Sequence, residues 1–163
     1  MNTTISVRHN FETAHRLPDL GGKCVNLHGH SWWCEITLAP TEPGADMVLE
    51  YGTAKRIIRR WIDEYLDHGA MLGDADPLAD FLESLGSKVY RFGVDNRTSD
   101  QWPTVESVAR MLHTTTTELF RDLPARVVSV RVNETHVNSA TSTTPPTLDD
   151  LPRVRIERPE GTS

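Results

Sequence analysis

The chain has 163 residues, of which 37% are hydrophobic and 25% charged, and its formal net charge is −6. A chain of this length buries one hydrophobic core, so we expect one domain, and the negative charge argues against a nucleic-acid partner bound through a broad basic surface. Its apolar runs are too short to span a membrane and its N-terminus lacks a secretory signal, so we expect a cytoplasmic protein without a membrane partner.

Two segments near the N-terminus alternate apolar and polar residues, which is typical of strands with one buried face. In residues 4–11, "TISVRHNF", the buried face would carry Ile5, Val7, His9 and Phe11. In residues 31–39, "SWWCEITLA", it would carry Trp32, Cys34, Ile36 and Leu38.

Two later segments carry apolar residues at helical spacing. Residues 53–68 place isoleucine, tryptophan and leucine side chains on one face and charged side chains on the other. Residues 104–120 carry a second apolar stripe, with Pro103 at the start of the helix. Between these two helices we predict a short helix within residues 71–86 and a short strand within residues 87–92.

A valine-rich strand is predicted over residues 125–134, with Val128, Val130 and Val132 on one face. The resulting order of elements, β-β-α-β-α-β, has neighbouring strands that can pair as hairpins. This order favours an α+β fold with an antiparallel sheet.

The chain is predicted to form a single domain, residues 1–163, whose core lies within residues 3 to about 140. Residues from about 141 to 163 are rich in proline and threonine and have little core-forming content. Within this tail, residues 154–157, "VRIE", could add an edge strand.

Three histidines are candidate metal ligands. His28 and His30 are two residues apart at the entrance to the second strand, so their side chains leave the same face. His15 follows the first strand and comes close to them if the two strands pair. Three neutral imidazoles without a fourth protein ligand would make an open catalytic zinc site, although a His-x-His pair alone also occurs by chance.

The two cysteines lie in different environments. Cys24 lies among glycines and polar residues in "GGKCVN", where Lys23 and a nearby zinc ion would favour the thiolate, although a packed thiol is the alternative. Cys34 lies within the second strand and is interpreted as a core residue. A disulfide between them is not expected in a reducing compartment.

Three polar motifs allow both a structural and a chemical interpretation. Asp67 could fix the tautomer of His68 for proton transfer, or His68 could simply stabilise the end of the first helix. Glu134 could face solvent, or it could accept two parallel N–H bonds from a guanidine-like edge. Residues 103–106, "PTVE", could be only a helix start.

Together these motifs resemble the 6-pyruvoyltetrahydropterin synthase and 6-carboxytetrahydropterin synthase family. The matching segments, in the order of the family, are "FETAHRL", "CVNLHGHSW", "MVLEYGTAK", "LDH", "PTVESVA" and "NET". The resemblance implies the tunnelling fold (T-fold), an antiparallel sheet backed by two antiparallel helices. It also implies a barrel of three subunits, a homohexamer of two stacked trimers, and active sites between subunits.

The resemblance implies a role for each candidate residue. Zinc would be bound by His15, His28 and His30, and Cys24 would be the catalytic thiolate. The zinc would acidify the two side-chain hydroxyls of 7,8-dihydroneopterin triphosphate, the implied substrate.

The other implied roles belong to the three polar motifs. Asp67 and His68 would come from a neighbouring subunit and handle protons with the thiolate. Glu134 would hold the N3 and 2-amino groups of the pterin, helped by Thr104 and Glu106.

The predicted activity is that of a 6-carboxytetrahydropterin synthase, which makes a precursor of 7-deazapurines such as queuosine. The three residues between Cys24 and His28 resemble the short spacing of this branch. The alternatives are a 6-pyruvoyltetrahydropterin synthase, which eliminates triphosphate without carbon loss, and a non-catalytic pterin-binding or purine-binding zinc protein.

Three features depart from the family pattern. Glu50 and Tyr51 stand where Asp-Phe is usual, a change expected to affect packing. The segment 69–101 is longer than in compact members, and "ETHVNSATST" lacks the aromatic residue common after the glutamate. The last two departures concern the rim of the substrate pocket and not the metal site.

Overall fold

Six strands and three helices make up the part of the chain that the computed structural model describes, residues 3–94 and 100–143. They are β1 (Ile5–His15), β2 (His28–Pro40), α1 (Tyr51–Tyr65), β3 (Gly69–Gly73), α2 (Pro77–Ser84), β4 (Val89–Phe92), α3 (Val105–Leu119), β5 (Ala125–Asn133) and β6 (Ser139–Ser142). The predicted strand at 154–157 lies outside the described residues. No helix in the described ranges has both the length and the apolar character needed to cross a membrane.

All six strands join one sheet in the order β4-β3-β1-β2-β5-β6. The predicted antiparallel arrangement holds from β1 through β2 and β5 to β6. On the other side of β1, however, β3 and β4 are added in parallel. Helix α2 connects β3 to β4, and a parallel pair requires such a crossover connection. The sheet is therefore mixed, with an antiparallel centre.

The alternation predicted for the first two strands is confirmed. The fully buried side chains of β1 and β2 form one core with those of α1 and α3, and this core includes Phe11, Trp32, Cys34, Ile36, Leu38, Ile58, Ile62, Val108 and Leu112. Both long helices therefore pack on the same face of the sheet.

The short helix α2 packs on the opposite face. Met71 belongs to the main core, whereas its neighbours Ala70 and Leu72 form a second cluster with Ala79 of α2. Successive strand residues point to opposite faces, so the two clusters lie on different sides of β3. The short helix predicted within residues 71–86 is present as α2, which begins where Asp76 caps it and Pro77 follows, while the first three residues of that range belong to β3.

The prediction that Val128, Val130 and Val132 share one face is wrong at Val128. The pairing between β2 and β5 shifts at Thr37 and Leu38, so a bulge reverses the alternation. Val127 is buried in place of Val128.

The start of α1 and the end of the sheet add two details to the predicted fold. Glu50 caps α1, because its carboxylate accepts hydrogen bonds from the backbone N–H groups of Gly52 and Thr53, both at 2.6 Å, while Tyr51 is half exposed. The short strand β6 extends the sheet into the first residues of the predicted tail. Its side chains contribute little core, but its backbone pairs with β5.

Candidate functional site

The hairpin formed by β1 and β2 brings the three candidate metal ligands together. In the register of the two strands His15 lies opposite His28, and Thr13 lies opposite His30. One ring nitrogen from each histidine lies within 4.8 Å of the other two. The structure therefore assembles the predicted histidine cluster at the end of the hairpin.

Backbone carbonyls orient two of the rings. His15 Nδ1 lies 2.9 Å from the Pro103 carbonyl oxygen, and His28 Nδ1 lies 2.8 Å from the Asn26 carbonyl oxygen. A carbonyl only accepts hydrogen bonds, so each Nδ1 carries the proton and each Nε2 offers its lone pair. Neither carbonyl was predictable from the sequence, because a backbone acceptor has no residue-type signature.

The cluster fits a zinc ion on several counts. The Nε2 atoms of His15 and His30 are buried and have no hydrogen-bond partner among the described residues, and such atoms are rare in folded proteins. Desolvation by burial lowers the pKa of His15 to about 4 and also lowers the pKa of His30, so both rings are neutral near pH 7. Neutral imidazole is the form that binds metals, and three such ligands leave one tetrahedral position open.

Glu134 lies beside this cluster. It follows β5, and its Oε1 is 3.5 Å from His15 Nε2 and 4.0 Å from His30 Nε2. Its side chain is only 19% exposed. The structure therefore places the predicted pterin-binding carboxylate next to the predicted metal ligands.

Asp67 and His68 form a hydrogen-bonded couple. His68 Nδ1 lies 2.6 Å from Asp67 Oδ2, while Asp67 Oδ1 accepts the backbone N–H of Glu12 at 2.8 Å. Partial burial opposes the charge of Asp67, but the Glu12 N–H, the His68 ring and Lys88 outweigh it and lower the pKa of Asp67. The carboxylate is thus held ionised, in position to fix the His68 tautomer.

Within one chain this couple does not join the histidine cluster. His68 donates its backbone N–H to the carbonyl of Glu12, which is three residues, about 10 Å, before His15 along β1. Glu12 also faces the opposite side of the sheet from His15, since the two are an odd number of residues apart.

The two thiols are free and lie in different surroundings, as predicted. Cys24 is exposed in a single 3-10 turn, Gly22–Val25, and its carbonyl accepts the backbone N–H of Leu17 at 2.7 Å. This hydrogen bond ties the connection between β1 and β2 back toward His15. Cys34 is fully buried in the main core, and burial raises the pKa of its thiol to about 12.

Thr104 and Glu106 lie at the start of α3. Thr104 is the N-cap, and its Oγ1 accepts the backbone N–H of Ser107 at 3.2 Å. Glu106 is exposed in the first turn of the helix. Thr104 therefore has the structural role of a helix cap. Its contact with a pterin stays a prediction.

Comparison with known proteins identifies related sequences. The 6-pyruvoyl tetrahydropterin synthase family profile matches residues 4–145. A 6-carboxy-5,6,7,8-tetrahydropterin synthase from Rickettsia typhi is 30% identical over 132 residues, which cover 78% of this chain and 91% of the relative. The enzyme of the same name from Haemophilus influenzae is 31% identical over 139 residues, which cover 80% and 92%.

Solved structures share the fold of this chain. An uncharacterized protein from Wolinella succinogenes matches with a TM-score of 0.70 and 20% identity, covering 88% of this chain and 98% of that one. The 6-pyruvoyl tetrahydropterin synthase of Caenorhabditis elegans matches with a TM-score of 0.60 and 21% identity, covering 88% and 96%. These likenesses confirm the predicted α+β tunnelling fold of the chain.

Proposed function

This chain belongs to the 6-pyruvoyl tetrahydropterin synthase family, and from that membership we propose that it is a zinc-dependent 6-carboxy-5,6,7,8-tetrahydropterin synthase. Its substrate is 7,8-dihydroneopterin triphosphate, and its products are 6-carboxytetrahydropterin, acetaldehyde and triphosphate. The 6-carboxytetrahydropterin supplies 7-deazapurine synthesis, including that of queuosine.

The histidine cluster carries this proposal. One ring nitrogen from each histidine lies within 4.8 Å of the other two, and the Nε2 atoms of His15 and His30 are buried without a hydrogen-bond partner among the described residues. An open catalytic zinc site needs such an arrangement. When bound, zinc supplies Lewis-acid polarisation of the hydroxyl groups on the substrate side chain. The names of the relatives from Rickettsia typhi and Haemophilus influenzae favour the carboxy branch over the pyruvoyl branch.

The proposed proton transfers use groups of this chain. Cys24, exposed four residues before His28, acts as the thiolate base toward the substrate side chain. His68 moves a proton through its Nε2, because its Nδ1 is engaged by Asp67. Glu134 binds the pterin by accepting N–H bonds from N3 and the 2-amino group, with Thr104 and Glu106 at its edge.

The bond that breaks distinguishes this proposal from the pyruvoyl alternative. After triphosphate leaves, water adds to the side-chain carbon attached to the ring. Deprotonation of this hydrate breaks the bond to the next carbon and leaves the first carbon on the ring as the carboxylate. The two outer carbons then depart as acetaldehyde. In the pyruvoyl synthase reaction triphosphate leaves and all the carbons stay.

We expect purified protein supplied with 7,8-dihydroneopterin triphosphate to release acetaldehyde and triphosphate in equal amounts. Acetaldehyde is measured by coupling its reduction to NADH oxidation with alcohol dehydrogenase, and triphosphate is measured by chromatography. Stoichiometric triphosphate without acetaldehyde would assign the pyruvoyl reaction instead. Release of neither product would favour a non-catalytic pterin-binding protein.

The proposed assembly is a homohexamer with active sites shared between subunits. The strands β4 and β6 at the two ends of the sheet have only four residues each, and each has one edge that no other described strand pairs with. Open edges are normally paired or covered, and closing three sheets into a barrel removes them. A shared site would also allow the Asp67–His68 couple of one subunit to serve the histidine cluster of another.

Light scattering of the purified protein is expected to give a mass about six times the 18.3 kDa of one chain. A mass of three chains would agree with the proposed barrel of three subunits but would contradict the stacking of two trimers. A clean monomer with full activity would contradict the shared site, because within one chain the couple and the cluster do not meet.

A further inference from the structure

The ring of His15 takes its orientation from a segment that is distant in the sequence. Its Nδ1 donates to the Pro103 carbonyl at 2.9 Å, across 88 residues of chain. The His15 side chain is fully buried, so water does not compete for this hydrogen bond. Because Nε2 has no hydrogen-bond partner in the described ranges, the bond to the Pro103 carbonyl is the one hydrogen bond of the ring that these ranges show.

A tight turn at residues 102–104 holds the Pro103 carbonyl from its C-terminal side. The backbone N–H of Thr104 donates to the Trp102 carbonyl at 2.9 Å, so the turn closes around Pro103. The proline ring restricts φ at the centre of the turn. Thr104 then caps α3 through its side chain, which ties the end of the turn to the helix.

The other side of the turn is held by an unusually close contact. A Cβ atom at Gly73 would lie 2.5 Å from two ring carbons of Trp102 and 2.8 Å from the Gln101 carbonyl oxygen. Only a residue without a side chain allows the indole to lie so close to the strand backbone. Gly73 is the last residue of β3, two residues after Met71, which pairs with His15.

We propose that Trp102, packed on Gly73, is a positioning residue for the histidine cluster: it holds the Pro103 carbonyl against His15 Nδ1 and thereby keeps Nε2 as the metal-binding atom. Its relevance to zinc rests on the proposed function, whereas the orientation of the ring does not. Gly73 and Trp102 both belong to the region between α1 and α3. This region therefore supports a candidate metal ligand.

The first test measures metal affinity in the Trp102→Ala variant. Loss of a partner that orients a metal-binding histidine typically weakens affinity about 10–100-fold, and we expect a change of that size in competition with a chromophoric zinc chelator. The matched control is Trp33→Ala, which removes an exposed tryptophan whose side chain points to the opposite face of the sheet from the cluster. Equal zinc affinity in wild type, Trp33→Ala and a folded Trp102→Ala would overturn the proposal.

The second test needs no metal and separates the two proposals. Nitrogen-15 NMR of zinc-free protein near pH 7 should show His15 as the Nδ1–H tautomer in wild type and Trp33→Ala. In Trp102→Ala this tautomer should be lost or mixed, and the same is expected for Gly73→Ala, which tests the contact if Trp102→Ala does not fold. A pure Nδ1–H tautomer in a folded variant would overturn the positioning role. Failure of wild type to bind zinc would overturn the proposed function and leave this measurement valid.

Discussion

Replacing His28 with alanine is expected to abolish stoichiometric zinc binding. Two histidines would remain, which is half of a tetrahedral ligand set and fewer than the three protein ligands of catalytic zinc sites. The ring that is removed is already oriented by the Asn26 carbonyl, so its loss removes a preorganised ligand. The loss of zinc affinity should exceed the 10–100-fold weakening that is typical when a group hydrogen-bonded to a metal ligand is removed. Metal analysis after dialysis against a weak chelator, compared with wild type, measures the effect.

The matched control is His136→Ala. His136 is exposed in the turn between β5 and β6 and lies outside the histidine cluster. This variant should retain one zinc ion per chain, as we expect for wild type. Zinc retained at full stoichiometry by a folded His28→Ala variant would contradict the assignment of the cluster as the metal site.

Replacing Cys24 with alanine is expected to lower turnover by about two to four orders of magnitude, because a proton-transferring group is lost. Zinc content should not change, since the three histidines converge without Cys24. The thiol is exposed in a short turn, so its removal leaves no cavity in the core. The measurement is the rate of acetaldehyde and triphosphate release by zinc-loaded protein. Activity near that of wild type would mean that the "KCVN" loop only borders the substrate pocket and that its thiol is not catalytic.

Selective alkylation checks the same assignment without a mutation. The thiolate is the reactive form, and with a pKa of about 12 the buried Cys34 has roughly one part in ten thousand of it at pH 8. Iodoacetamide should therefore modify Cys24 alone, and loss of activity should follow that modification in mass spectra. The control is Cys34→Ala, which should be inactivated at the same rate as wild type. Full activity after complete modification of Cys24 would contradict a catalytic thiol.

Periodicity was sufficient to predict much of the fold. The alternation in β1 and β2 and the helical spacing in α1 and α3 follow from burying one face of each element, which a sequence records directly. Periodicity failed where backbone pairing and not side-chain burial decides the structure. The bulge at Val128, the parallel strand β3 and the polar strand β6 are of this kind.

The sequence by itself determined the chemical inventory of the candidate site: three histidines, an exposed thiol, an Asp–His couple and a carboxylate at the end of a strand. Residue types and the resemblance of the motifs to a known family carry this prediction, because imidazoles bind zinc and thiol, carboxylate and imidazole groups transfer protons. Sequence also predicted that His28 and His30 share a face, since that follows from the geometry of any strand.

Only the tertiary structure decided how these groups are arranged. It placed Glu134 beside the cluster, set the Asp67–His68 couple apart from it within the chain, and oriented His15 through the Pro103 carbonyl. Such contacts depend on strand register and on how a turn packs against Gly73, which are properties of the folded backbone. A carbonyl oxygen is the same for every residue type, so its hydrogen bond to a distant ring becomes visible only when the chain has folded.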